Sequence, residues 1–191
     1  MPTIILDTSE LLEELLKPFA DKQKIPIIPF VEVNRRLNNY KELWEKEGHL
    51  LLESLCNKLG VFYDEKTISV WVSGSIVGGY SAPIIVSSNK DMESVIDLIT
   101  HELIHRLAYR NKNNWSYEDN LRSIVDDKER IVFNHVYVYA LHQYLLTETI
   151  KDPKRLTREK KIAMNNPANK AAWELVEEIG YPKIIEKIAN K

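Results

Sequence analysis

The sequence predicts an α+β domain: a small, mostly antiparallel sheet packed with several helices, one of them central. Three observations carry that expectation. Two long runs, residues 91–108 and 119–147, contain neither Gly nor Pro and repeat apolar residues at helical spacing. Residues 61–88 instead hold short, β-branched apolar stretches punctuated by Gly and Pro. The length of 191 residues, with 44% hydrophobic and 28% charged, suits one domain large enough to bury a core.

From the N-terminus, Asp7-Thr8-Ser9-Glu10 offers helix caps and an Asp-x-x-Glu box for a helix ending near Pro18. Ile25-Pro26-Ile27-Ile28-Pro29 is extended, because proline and the residue before it disfavour helix. A long helical pattern follows from about Val33 to Leu59, with a break expected near Gly48 and a stop at Gly60. Val61-Phe62-Tyr63 and Ile68–Val72 read as a hairpin around Asp64-Glu65-Lys66. Ile76-Val77 and Pro83–Ser88 add another strand or two. Between them, Gly78-Gly79-Tyr80 reads most simply as a turn. Its alternative is a sheet edge able to take up an extended peptide.

In residues 91–108, Val95, Ile99, Leu103 and Leu107 recur at four-residue steps beside Ile96 and Ile104. Ser88 and Asn89 stand before the run as caps. Apolar residues on more than one face make this a buried, central helix. Ile124, Ile131, Val138, Leu141 and Leu145 give the 119–147 helix its apolar face. The basic stretch Lys151–Lys161 reads as a solvated linker. A helix then runs from Asn166-Pro167 to about Ile179, docked by Trp173, Val176 and Ile179 and ended by Gly180. Tyr181-Pro182 opens a last short helix.

The central helix carries His101-Glu102-Leu103-Ile104-His105, an H-E-x-x-H pattern. Residues four apart lie one turn apart on one face, so both imidazoles can reach a single ion. Glu102 is offset, at the edge of that ion, where it can handle a water molecule. The pattern reads as a zinc site with two helical His ligands and a Glu general base. The competing reading is two satisfied core histidines and a surface Glu. The buried helix argues against it, since such a group is costly inside unless paired or metallated.

Zinc needs a third protein ligand and an open position. Ala108 and Asn111 stand where the extended H-E-x-x-H-x-x-G-x-x-H pattern needs Gly and His. The candidates therefore lie on the next helix. Four of the five histidines, 101, 105, 135 and 142, fall in this stretch. His135, flanked by Val132, Val136 and Val138, ranks first. Glu129 ranks second, because the charged run Asp126-Asp127-Lys128-Glu129-Arg130 also reads as a solvated face. His142 ranks third, with a place behind the ligands or at the transition state as its other role. Tyr80, Tyr109, Tyr117, Tyr139, Arg106 and His142 are the candidates for stabilising an oxyanion.

The His-Glu-Leu-Ile-His helix, followed by a second helix carrying a further ligand, resembles the zincin superfamily of zinc metallopeptidases. The order is similar to its gluzincin branch, in which an Asn-Glu pair on the second helix supplies the last ligand. Asn134-His135 stands in that place here, with His for Glu. The likeness spans roughly residues 66–147 and is nearer to small, single-domain members. It implies His101, His105 and His135 as ligands of one zinc ion. It further implies Glu102 as the residue that activates water and passes its proton to the leaving amine, with a peptide or protein as substrate.

The remaining composition narrows the function. A net charge of −2 gives no global pull toward nucleic acid or anionic lipid, so neither is expected as a partner. The single cysteine, Cys56, excludes an internal disulfide and reads as a small buried residue. The N-terminus lacks a basic segment and a long apolar run, which argues against a signal peptide. No stretch has the apolar length to span a bilayer, so a cytoplasmic protein is expected. Two other readings remain open: a zinc-binding module without turnover, and a nucleic-acid-associated factor using Lys151–Lys161.

Overall fold

The computed structural model describes residues 1–125 and 129–189. They are of α+β class: eight α-helices and a mixed, four-stranded sheet among the described residues. Two compact units divide the chain, Met1–His49 with Tyr63–Arg106, and Leu50–Phe62 with Leu107–Lys191. Helices α2 (Phe30–Leu59) and α3 (Met92–Asn111) run through both.

The first unit holds the sheet: β1 (Thr3–Asp7), β2 (Thr67–Ser73), β3 (Gly79–Ser81) and β4 (Ile84–Ser87), in the order β1-β2-β4-β3. β1 and β2 pair in parallel, as do β2 and β4; only β3 is antiparallel to its neighbour β4. The expectation of a mostly antiparallel sheet is therefore wrong, and so is the hairpin. The place beside β2 assigned to residues 61–63 belongs to β1, which runs in register from Thr3↔Thr67 to Asp7↔Trp71. Residues 61–66 form no strand. A parallel neighbour needs a long crossover, and α1 (Glu10–Gln23) and α2 lie in the chain between β1 and β2. Leu6, Ile68, Val70 and Val72 are buried, as the alternation of strand faces requires.

Ser9, not Asp7, caps α1, its hydroxyl accepting from the Leu12 amide at 3.4 Å. The helix does not stop near Pro18 but continues to Gln23. Pro18 and Glu14 are both exposed. The Glu14 carbonyl that proline leaves without an N–H donor can therefore turn to water. On the buried side, Glu13 accepts the Gly74 amide at 2.8 Å and the hydroxyls of Ser75 at 2.6 Å and Ser73 at 3.2 Å. That carboxylate ties α1 to the segment leaving β2.

α2 passes Gly48 without the expected break. The Trp44 indole lies across this position, and a Cβ there would come within 2.3 Å of it. Glycine serves side-chain packing here, not chain reversal. Gly60, with φ 68°, ends the helix as expected. α3 begins at Met92, and its cap is Asp91. One Asp91 oxygen accepts the Ser94 amide at 3.0 Å and the other its hydroxyl at 2.8 Å. Ser88 and Asn89, expected as caps, lie in the preceding loop, too early to reach the first free amides. The predicted stripe is correct: Val95, Ile96, Ile99, Leu103, Ile104 and Leu107 are all buried.

The second unit contains α4 (Tyr117–Arg122), α5 (Arg130–Tyr144), a π-helical turn at Leu145–Thr149, α6 (Pro153–Ala163), α7 (Pro167–Ile179) and α8 (Tyr181–Ile188). The single helix expected over 119–147 is interrupted. Ser123 closes α4, its hydroxyl and amide both returning to the Asn120 carbonyl. Asp126, Asp127 and Lys128 of the charged run lie outside the described residues. Ile131, expected on the apolar face, is 61% exposed, whereas Val138, Leu141 and Leu145 are buried.

The basic stretch is a helix, not a linker: Asp152 caps α6 through the amides of Lys154 and Arg155. Asn166 caps α7 and Gly180, at φ 88°, ends it, both as expected. Cys56 is buried on α2. Among the described residues, no helix is long and apolar enough to cross a membrane.

Candidate metal centre

α3 positions the motif. Its 102–104 and 107–108 segments are buried, which leaves His101 and His105 half-buried one turn apart. Their rings meet edge to face with centroids 4.9 Å apart. Glu102 is not on the surface but only 5% exposed. Burial strips water from the charged form and pushes its carboxyl up to about 8.

His135 lies in the first half of α5, half-buried. Its Nδ1 sits 2.7 Å from the Ile131 carbonyl one turn earlier. A carbonyl can only accept, so Nδ1 carries the proton and Nε2 carries the lone pair. That hydrogen bond fixes the tautomer suited to a metal ligand. Burial also holds the imidazole below its ordinary pKa, which favours the neutral, ligating form. The Tyr139 ring lies 5.7 Å from it and in turn meets Trp173 edge to face.

One ring nitrogen each from His101, His105 and His135 all lie within 4.8 Å of one another. Among the described residues this is the one group of three or more ligating side chains so placed. A tetrahedral zinc ion with Zn–N near 2.1 Å sets its nitrogens about 3.4 Å apart, inside the 4.8 Å limit that spans the three. The donors are chemically suitable too: three neutral imidazoles leave the charge of a divalent ion uncompensated.

The other two candidates are not in that group. Glu129 is an exposed residue at the start of α5, its carbonyl accepting the Phe133 amide at 3.0 Å. His142 is fully in the core, where burial, reinforced by the Arg155 guanidinium, pushes its imidazole down to about 3. This has a measurable consequence. The folded chain keeps His142 neutral, while the unfolded chain protonates it below its ordinary pKa of 6.5. Below pH 6.5 the unfolded state thus binds the extra proton, and stability falls with falling pH until about pH 3. From pH 7 to pH 5 this one group should cost about 2 kcal/mol, at about 1.4 kcal/mol per pH unit. Urea unfolding of the metal-free chain and of His142→Gln should show that loss as the difference between their pH profiles, because the buried Glu102 carboxyl shifts stability in the opposite sense and is common to both. An unchanged acid limb in His142→Gln would show that His142 is already protonated in the fold.

Around the motif in the first unit, Arg106 holds Glu65 through two nitrogens, one at 2.9 Å, and reaches the Ser81 carbonyl at 3.5 Å. The Tyr63 hydroxyl donates to the Leu103 carbonyl at 2.8 Å. Arg106 is thus engaged in holding segment 63–65 and the end of β3 to α3. Of the tyrosines named from sequence, Tyr80 and Tyr109 are exposed and Tyr117 and Tyr139 buried. Tyr63, Glu65 and Gly79 were not anticipated. Nothing in their spacing relates them to the motif; only folding sets them beside it. The Lys151–Lys161 stretch does not present one basic face, because Arg155 is buried and Lys160 pairs with Glu177. Comparison of the chain with protein-family models, with characterised proteins and with solved structures found no match.

Proposed function

We propose that this protein is a zinc-dependent hydrolase, a small metallopeptidase of zincin type, with His101, His105 and His135 as metal ligands. The supporting observation is that one ring nitrogen from each of those three histidines lies within 4.8 Å of the others, with the buried Glu102 following His101 on the same helix. When bound, zinc would supply Lewis-acid polarisation of the scissile carbonyl and make a coordinated water acidic. The chain's own groups do the rest. His101 and His105 offer two nitrogens from one rigid helix. His135 is held in its ligating tautomer by the Ile131 carbonyl. Glu102, buried and neutral in the metal-free chain, would be held ionised by the charge of a bound cation and could then accept the proton of the attacking water and return it to the leaving nitrogen.

The test begins with protein stripped by a chelator and reconstituted with zinc. We expect one zinc per chain and cleavage of casein that disappears when the metal is removed again. Failure to retain zinc would end the proposal. Zinc retained without cleavage of casein or of a mixed peptide library would leave a metal-binding module and remove the hydrolase.

A further inference from the structure

We infer that Gly79 is a positioning residue for Glu102: the side chain it lacks is what leaves room for that carboxyl on the motif helix. The inference rests on the proposed hydrolase. Gly79 is the first residue of the edge strand β3. A Cβ built on it would lie 2.5 Å from Glu102 Oε1 and 2.9 Å from both Cδ and Cγ. Ordinary contact starts at 3.4 Å, so a methyl group here would have to displace something by roughly 1 Å.

Backbone conformation does not account for the glycine. The bend preceding β3 is made by Gly78, at φ 79°, and a Cβ there would meet nothing within 4 Å. Gly79 itself is not among the positive-φ residues, so its backbone suits any amino acid. Its place in a strand would favour a β-branched or aromatic residue. The close approach of Glu102 is what demands the missing side chain.

The carboxyl is also the part that would yield. β3 is held by its pairing Gly79↔Val86, by the Ser87 amide on the Gly78 carbonyl at 2.9 Å, and by Arg106 at Ser81. The Glu102 main chain lies within α3, next to the buried Leu103 and Ile104. The Glu102 side chain, with three rotatable bonds, is the softest element in the contact. A shift of about 1 Å in a reacting group costs about 100-fold in rate.

The experiment compares Gly79→Ala with Gly78→Ala, and places Gly79→Ala in wild-type and Glu102→Ala backgrounds. In zinc-reconstituted Gly79→Ala we expect unchanged zinc content and unchanged KM on a casein-derived fluorogenic peptide. kcat should fall about 100-fold. Gly78→Ala strains the same strand without touching Glu102, and should keep most of kcat. In thermal melts of the metal-free proteins, Gly79→Ala should lower the midpoint in the wild-type background and leave it unchanged in Glu102→Ala. An equal drop in both backgrounds, or an equal kcat loss in Gly78→Ala, overturns the positioning role. A wild-type chain without turnover defeats the hydrolase alone, since the melts still decide whether Gly79 seats Glu102.

Discussion

His105→Ala is expected to empty the metal centre while the chain stays folded. His105 is half-buried on the central helix, so its truncation removes a ligand without opening the core. Even a residue that only orients a metal ligand typically costs 10–100-fold in affinity when mutated, so loss of a ligand should weaken zinc binding by more than about 100-fold. Competition with a chromogenic chelator measures this directly. Melting provides an independent reading. Free zinc at about a hundred times its dissociation constant stabilises a fold by about 2.7 kcal/mol, and that gain should vanish in the variant. His135→Ala should behave alike if α5 supplies the third ligand. Full zinc occupancy in His105→Ala would remove the site altogether.

Glu102→Gln should have the opposite profile. Glutamine keeps the length and shape of the side chain, and it suits a buried site because it is neutral at every pH. It cannot take a proton from water. Zinc affinity should therefore stay near that of the wild type, whereas turnover of casein should fall by about 10²–10⁴, the range supplied by a positioned general base. The pair of variants separates the two parts of the reading. His105→Ala loses metal and turnover together; Glu102→Gln loses turnover alone. A Glu102→Gln protein as active as the wild type would assign the proton transfer to another residue.

The local elements were legible wherever side-chain pattern and capping agreed within one segment. The α3 stripe from Val95 to Leu107, the Gly60 stop, and the Asn166-to-Gly180 helix could all be read because their determinants are neighbours in the chain. The errors share the opposite character. Thr3–Asp7 reads as a nondescript start, and it becomes a strand only because β2, over sixty residues away, accepts it in parallel. Pro18 and Gly48 signal breaks by propensity. Solvent exposure of the first, and the Trp44 indole packed on the second, override that signal.

By itself the sequence determined the chemistry available: two imidazoles one turn apart, a carboxylate between them, and further His and Glu residues downstream. An α-helix has a fixed rise and period, so that spacing needs no further context. Folding decided the rest. It grouped His135, rather than Glu129 or His142, with the motif histidines, and it buried Glu102. It also laid the bare α-carbon of Gly79 against that carboxyl. Desolvation and close approach are properties of three-dimensional neighbours, and no local spacing along a chain encodes them.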